Sequence, residues 1–233
     1  MKQPIIKLKF DQKLDQVKAW DFYLSSNFGG CDFWKERALK YHPKLIEIKS
    51  AENPKKFLNK YIIDFYKSNN REIKILSENT IKYINQEQNN FFLVVSKLFN
   101  GYPWPRKKYI GDFSIFDFCP RFLDSGEFQV FIYNNRSFQL FTIFHEMLHF
   151  IFYDFVQKNF PETRKMDTEQ GKLWGMAEVF NAVIQDTEDF ISLHGKIKNI
   201  GYPDHKDLIL QGSRLWKKYP SVYNWVNEML KLF

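Results

Sequence analysis

Three residues able to take part in metal chemistry lie together in one of the most apolar stretches of the chain. Within FQLFTIFHEMLHFIFYDFV, residues 138–156, the sequence places His145, Glu146 and His149. If this stretch is a helix, positions i and i+4 project side by side, about one turn apart. His145 and His149 can then share one tetrahedral metal ion. Glu146 is close enough to reach a water molecule at that ion, which is the position a general base needs.

A metal ion would also account for the apolar surroundings of these side chains. Burying such polar groups without partners costs on the order of several kcal/mol. The alternative interpretation is that they are core side chains that happen to be buried. A cation between them offsets the cost of burial, and we therefore expect a metal centre.

Two histidines are not enough to hold the ion, so a third ligand is needed. The possible donors downstream are Glu162, Asp167, Glu169, Glu178, His194 and His205. Glu178 is favoured because it is a lone carboxylate in an apolar helical segment, LWGMAEVFNAVIQ. Asn181 lies one turn further on and faces the same way, so it could hydrogen-bond a metal ligand. A salt bridge to a lysine or arginine is the alternative role for Glu178.

HEMLH on one helix and AEVFN on the next resemble the gluzincins, which are zinc metallopeptidases with two histidines and one glutamate as ligands. The resemblance covers about residues 72–190 and includes the order of helix, strands, active helix and glutamate helix in a zincin-like core. The spacing to the glutamate is also similar to that of the ImmA/IrrE-type intracellular peptidases, although their usual glycine before the second histidine is Leu148 here. The longer metzincin motif is excluded, because Phe152 and Phe155 occupy its glycine and third histidine positions.

The resemblance implies a zinc site with three ligands: His145, His149 and Glu178. It also implies peptide-bond hydrolysis through a metal-activated water, with Glu146 as the general base. In gluzincins a Tyr or His beyond the glutamate helix commonly stabilises the oxyanion, and Tyr202 and His205 in GYPDHK are the candidates here. A turn followed by the start of a helix is the alternative interpretation of that segment.

The pattern of apolar residues predicts a mainly helical α+β fold, with a small antiparallel β-hairpin packed on the HExxH helix. Helices are predicted at about 11–26, 31–48 (interrupted near Pro43), 54–69, 72–99, 138–157, 172–190, 205–218 and 221–233. In the first of these, Leu14, Val17 and Phe22 are expected to face inward, and Ser137 is the expected N-cap of the helix that carries His145.

The hairpin is predicted from two apolar segments joined by a turn. YIGDFSIFDFCP, residues 109–120, and EFQVFIYNN, residues 127–135, are the strands, and residues 123–126 are the turn. By analogy with the zincins, the second strand would be the sheet edge that pairs with an extended peptide.

The net charge of +7 is carried by the first part of the chain. Residues 1–100 are therefore expected to form a basic, mainly helical region. Residues 101–233 would form the zincin-like catalytic region, as one compact unit with the helix at 72–99. The lysines are scattered, which favours a solvated helical surface over a nucleic-acid site, although nucleic acid is not excluded as a partner.

Two cysteines, Cys31 and Cys119, do not make a disulfide framework. The start of the sequence lacks an apolar segment of signal-peptide length, and the one long apolar stretch carries too many polar groups for a membrane span. A soluble cytoplasmic protein with no membrane partner is expected. His42 and His194 are interpreted as loop or surface residues without a role.

Three functions are consistent with the sequence. The first is a zinc-dependent peptidase acting on a peptide or protein. The second is a zinc-binding regulatory or interaction protein without activity, and the third is a metal-dependent hydrolase acting on another bond. Glu146 favours an enzyme, because a purely structural metal site does not need a base beside its ligands.

Overall fold

The structure is a computed structural model that describes residues 3–198 and 201–232. Helices predominate in these ranges and are combined with a small sheet, which confirms the mainly helical α+β class. The α-helices are α1 (Gln12–Leu24), α2 (Leu39–Tyr41), α3 (Pro54–Ser68), α4 (Asn70–Leu98), α5 (Arg136–Asn159), α6 (Gly171–Gln185), α7 (Glu188–His194), α8 (Lys206–Lys218) and α9 (Val222–Met229). The strands are β1 (Ile5–Phe10), β2 (Asn27–Phe28), β3 (Cys31–Asp32), β4 (Lys108–Ser114), β5 (Arg121–Phe122) and β6 (Glu127–Phe131).

The longer helices lie close to their predicted bounds. α4 is continuous, as its apolar spacing indicates. The N-cap of α5 is Asn135 rather than Ser137, because the Asn135 side chain accepts a hydrogen bond from the backbone N–H of Phe138 at 3.0 Å. The single helix predicted at 172–190 is divided into α6 and α7. The helix predicted at 221–233 is α9, and Phe233 lies outside the described residues.

The main sheet has the strand order β1-β4-β6-β5, and only β5 is antiparallel to its neighbour. The predicted antiparallel pairing of the two long strands is therefore wrong, because β4 and β6 run parallel. The predicted turn at 123–126 does exist, but it joins β5 to β6, with Gly126 at a φ of +73°. Parallel neighbours need a long connection. Residues 115–126 supply it, and they include Cys119 with a φ of +50°.

Strand β1 is absent from the mainly helical interpretation of residues 1–100. It forms the outer strand of the sheet, where Ile5 lies opposite Lys108 and Phe10 lies opposite Phe113 of β4. Its Ile6 side chain is buried in the larger hydrophobic core. The pairing joins β1 to β4, which in turn pairs with β6, the strand before the HExxH helix.

Helix α5 is enclosed by aromatic side chains in the larger core. Phe144 stacks on Phe91 of α4 with ring centroids 4.3 Å apart, and Phe152 stacks on Phe180 of α6 at 4.5 Å. Such contacts contribute beyond the burial of apolar area and fix ring geometry. They hold α5, with its polar motif, between α4 and α6.

A smaller core joins the N-terminal helices to the sheet. Val17 was expected to face inward but is 53% exposed, whereas Asp15 and Ala19 are the buried residues of α1. The carboxylate of Asp15 accepts hydrogen bonds from Tyr66 Oη at 2.7 Å, the backbone N–H of Ile115 at 3.1 Å and Gln129 Nε2 at 2.8 Å. This buried carboxylate therefore connects α1, α3 and the sheet, because its donors lie in α3, directly after β4 and in β6.

The surface assignment of His42 is wrong. The side chain is buried, with Nδ1 2.9 Å from Tyr61 Oη and Nε2 2.7 Å from the carbonyl oxygen of Ile115. Because both ring nitrogens have partners in the fold, His42 is a structural residue. Both cysteines are free. Among the helices of the described ranges, none combines the length and the apolar character required to cross a bilayer.

Candidate metal centre

Helix α5 brings the two histidines of the motif together as their spacing predicts. The Nε2 atoms of His145 and His149 are 3.0 Å apart. His149 is fully buried and its ring lies parallel to that of Tyr153, with centroids 5.7 Å apart. The two imidazoles therefore present nitrogen atoms to one point beside α5.

Glu178 of α6 supplies a carboxylate at the same point. Its Oε2 is 3.1 Å from His145 Nε2, and its Oε1 is 3.3 Å from His149 Nε2. Within residues 3–198 and 201–232, these three residues are the cluster of potential ligands whose donor atoms all lie within 4.8 Å of one another. Two imidazole nitrogens and a carboxylate oxygen suit a transition metal such as zinc. The cluster could therefore hold a metal ion.

The tautomer of His145 also suits a ligand. Gln185 Nε2 donates to the carbonyl oxygen of Phe141 at 3.0 Å, which turns Gln185 Oε1 towards His145 Nδ1, 3.1 Å away. This contact favours the neutral tautomer of His145 with its proton on Nδ1, which leaves the Nε2 lone pair directed towards His149 and Glu178. Gln185 was not among the predicted residues, but it follows Glu178 by seven positions, which places both on one face of α6.

Asn181 contacts the backbone rather than a ligand side chain. Its Nδ2 donates to the carbonyl oxygen of His145 at 2.9 Å. Asn181 therefore does hydrogen-bond a candidate ligand residue. The contact is made to the main chain of α5 and not to an imidazole. It links the two helices that carry the candidate ligands.

A second residue that is absent from the sequence predictions is Arg121 of β5. Its buried Nη1 is 3.6 Å from Glu178 Oε1, and its Nη2 donates to Tyr153 Oη at 2.9 Å and to the carbonyl oxygen of Thr168 at 2.7 Å. Glu178 thus forms an ion pair with an arginine, which is the alternative role expected for it. It also faces both histidines. No local pattern marks Arg121, because it reaches the centre through the pairing of β5 with β6.

Burial and charge set the ionisation of these groups. Burial raises the pKa of Glu146 to about 7, against the opposing effects of His145 and Arg121. Burial lowers the pKa of His149 to about 3, which keeps this imidazole neutral. Burial alone would raise the pKa of Glu178, but the two histidines hold it well below its usual range. A neutral imidazole beside an ionised carboxylate is the state in which both can bind a metal.

Two hollows meet at this centre. The larger has a volume of about 790 Å³ and the smaller about 530 Å³. Both are lined by Phe33, Phe118, Cys119, His145, Glu146, Glu178 and Tyr202. The Oε2 atom of Glu146 is buried and has no hydrogen-bond partner within the described part of the chain. The general-base candidate therefore lines both hollows, and its Oε2 atom has no competing partner among the described residues.

The two candidates for oxyanion stabilisation occupy different positions. Tyr202 lines both hollows beside Glu146 and Glu178. His205 packs behind it, with ring centroids 5.8 Å from Tyr202 and 5.0 Å from Trp174, and it lines neither hollow. Of the two, Tyr202 is the one placed at the centre.

The other potential ligands are not part of the cluster. Glu162, Asp167, Glu169, His194 and His205 lie outside the group of three donors found among the described residues. Glu169 lines the larger hollow. His194, expected to be a loop or surface residue, lies at the end of α7 and is fully buried, with its ring 5.4 Å from that of Phe141.

The sheet edge at the centre is not the predicted one. β6 is flanked by β4 and β5, and the backbone N–H of Gln129 donates to the carbonyl oxygen of Pro120 at 2.9 Å. β6 therefore cannot accept an extended peptide along this stretch. The segment 118–125, which includes β5, lies on that side instead and lines the larger hollow.

No protein-family model matches the chain, and comparison with curated proteins and with solved structures finds no match.

Proposed function

We propose that this protein is a zinc-dependent metallopeptidase of the gluzincin type. One observation carries the proposal. The side chains of His145, His149 and Glu178 converge beside Glu146, whose Oε2 atom has no partner among the described residues. Zinc is the favoured ion because its protein sites combine imidazole and carboxylate ligands, and a site with three protein ligands leaves a position open for catalysis.

In the proposed reaction each residue has one task. His145, His149 and Glu178 would hold zinc, which supplies Lewis acidity at a water molecule and at the substrate carbonyl. Glu146 accepts the proton of the attacking water and passes it to the leaving nitrogen. Tyr202 lines both hollows and is the donor proposed to stabilise the oxyanion, while His205 supports the Tyr202 ring from behind.

A second candidate is a zinc-binding regulatory or interaction protein without peptidase activity. Arg121 favours this candidate, because its buried ion pair with Glu178 would fix the carboxylate in place, as a structural metal site requires. In such a protein the ion pair and the two histidines would be a structural network. A metal-dependent hydrolase that acts on a different bond would use the same residues as the peptidase.

Metal analysis combined with a cleavage assay separates these functions. The purified protein is expected to contain about one zinc per chain and to cleave members of a peptide library. Glu146→Gln should keep the zinc and lose activity by at least about a hundred-fold, because the general base is removed. Glu162→Gln, at an exposed glutamate that lines neither hollow, is the control.

Two results would contradict the proposal. Zinc binding that is unchanged in Glu178→Ala would remove the third ligand. Zinc-loaded protein that cleaves no peptide would favour the protein without peptidase activity or a hydrolase of another class. Cytoplasmic location and the absence of a nucleic-acid partner stay predictions.

A further inference from the structure

We propose that the larger hollow is a side-chain subsite that takes a bulky apolar residue, preferably aromatic, from the interior of a peptide. The inference rests on the proposed function and adds a substrate class to it. Four rings form one wall of the hollow beside the metal centre: Phe22, Phe28, Phe33 and Phe118. They come from α1, the β2–β3 hairpin and the segment before β5.

The four rings contact one another. Phe22 stacks on Phe118 with centroids 4.2 Å apart and planes inclined by 9°, and it lies 5.6 Å from both Phe28 and Phe33. Phe28 and Phe33 are 5.9 Å apart in an edge-to-face arrangement. Because each ring is held by others, the wall keeps its shape without a ligand. A preformed aromatic wall favours a flat apolar side chain.

Part of this wall faces solvent. Phe28 is 36% exposed and Phe22 is half-buried, whereas Phe33 and Phe118 are buried. A ligand side chain that covers these rings removes apolar surface from water, which is the driving force for binding here. Continuity with His145, Glu146 and Glu178 in the same hollow places that side chain next to the reacting bond.

The charged groups of the hollow do not favour an acidic side chain. Lys18 Nζ is paired with Asp21 Oδ2 at 2.8 Å. Nη1 and Nη2 of Arg121 are paired with Glu178, Tyr153 and Thr168, and its Nε atom is buried. Glu169 adds a carboxylate to the lining. An acidic side chain would be repelled by the Glu169 carboxylate, and Lys18 and Arg121 are already paired with other groups. An apolar side chain would contact the four rings.

The aromatic wall is held in place relative to the centre by the β2–β3 hairpin. The backbone N–H of Asp204 donates to the carbonyl oxygen of Gly29 at 3.2 Å. A Cβ added at Gly29 would lie 2.5 Å from the Tyr202 ring, so the hairpin touches Tyr202 directly. The N-terminal part of the chain therefore supplies one wall of the cleft and contacts the residue proposed to stabilise the oxyanion.

The second hollow implies that the peptide continues past the centre. Both hollows include His145, Glu146 and Glu178 in their lining, so space is present on two sides of the reactive groups. A peptide with blocked ends should therefore bind as well as a free one. This is why the residue in the aromatic hollow is inferred to be an interior residue.

Binding of a peptide library tests the inference without requiring turnover. The probe is a random decapeptide library with acetylated and amidated ends, applied to zinc-loaded Glu146→Gln. Bound peptides should be enriched in Phe, Tyr, Trp or Leu at one position. Phe28→Ala and Phe22→Ala in the same background should weaken binding of the enriched peptides about ten-fold. Leu24→Ala, at an exposed leucine that lines neither hollow, should leave it unchanged.

The outcomes separate the subsite from the reaction. Absence of binding, enrichment of charged residues, or an unchanged affinity in both phenylalanine variants would overturn the inference. Cleavage of the enriched peptides by the wild-type protein tests the proposed function separately. Selective binding with no cleavage would support the subsite and contradict the peptidase function. Cleavage without a preference for these residues would support the peptidase function and contradict the subsite.

Discussion

At the scale of single residues, the centre depends on partners that orient its ligands. His145 is placed by Gln185, and Glu178 is placed by Arg121 and by the two histidines. The Gln185 contact favours one tautomer of His145, and the contacts of Glu178 favour its ionised form. Both states suit a metal ligand. The motif alone therefore describes only part of the centre, and the residues behind it are expected to affect metal affinity.

Gln185→Leu should weaken zinc binding about 10–100-fold. The substitution removes the acceptor of the His145 Nδ1 proton, so the ring loses the bond that directs its Nε2 lone pair towards Glu178. Competition with a chromogenic chelator measures the affinity. Gln86→Leu, at an exposed glutamine of α4, is the matched control. Equal affinities in the two variants would show that Gln185 does not orient the ligand.

At the scale of secondary-structure elements, the cleft is formed by two helices together with short segments from other parts of the chain. α5 and α6 carry the proposed ligands, β5 carries Arg121, and the β2–β3 hairpin contacts Tyr202. The hairpin turn uses Gly29 and Gly30 with φ values of +54° and +83°, a region that favours glycine. Its close approach to Tyr202 requires the absence of a side chain at Gly29.

Gly29→Ala tests whether the hairpin positions Tyr202. The added Cβ would lie 2.5 Å from the ring, whereas Gly101 has a similar φ of +74° and nothing within 4 Å of an added Cβ. Both substitutions carry a backbone strain of about 1–2 kcal/mol. Gly29→Ala should lower kcat for peptide cleavage beyond any effect of Gly101→Ala, which is the matched control. Equal losses of kcat would assign the whole effect to backbone strain.

At the scale of the whole molecule, the N-terminal part of the chain and the part that carries the proposed metal ligands are joined by buried contacts. β1 pairs with β4, and Asp15 of α1 bonds to Gln129 of β6. Burial raises the pKa of Asp15 to about 6 from an ordinary value of 3.8, despite the hydrogen bonds that favour its charged form. Protonation of this group therefore favours the folded state.

The sign of the resulting pH dependence follows from linkage. Because the folded pKa of Asp15 is above its unfolded value, the stability it contributes is fully present below about pH 3.8 and is lost as the pH rises through about 6. The free energy of unfolding of the wild type, minus that of Asp15→Asn, should therefore fall by on the order of 2 kcal/mol between pH 4 and pH 7. Urea unfolding at several pH values measures the difference. A difference that is constant or rises with pH would contradict the prediction.

The sequence by itself determined the parts of this protein that depend on local geometry. The i and i+4 spacing of His145 and His149 brings them together on any α-helix, and the apolar period defines α3, α4 and α5. The apolar segment around Glu178 also marks it as the candidate third ligand, and that role stays a prediction. The pairing of the two histidines and the existence of these helices are confirmed, because helix geometry depends on neighbouring residues alone.

Only the tertiary structure decided which distant segments meet. The parallel pairing of β4 with β6, the strand β1, the burial of His42 and the approach of Arg121 to Glu178 all join residues far apart in the chain. Strand direction and ion-pair partners are chosen by the packing of the whole molecule, because a short segment satisfies its own pattern in several arrangements. The HExxH motif could therefore be identified in the sequence. The aromatic wall and the pairing of Arg121 with Glu178 became evident only in the tertiary structure.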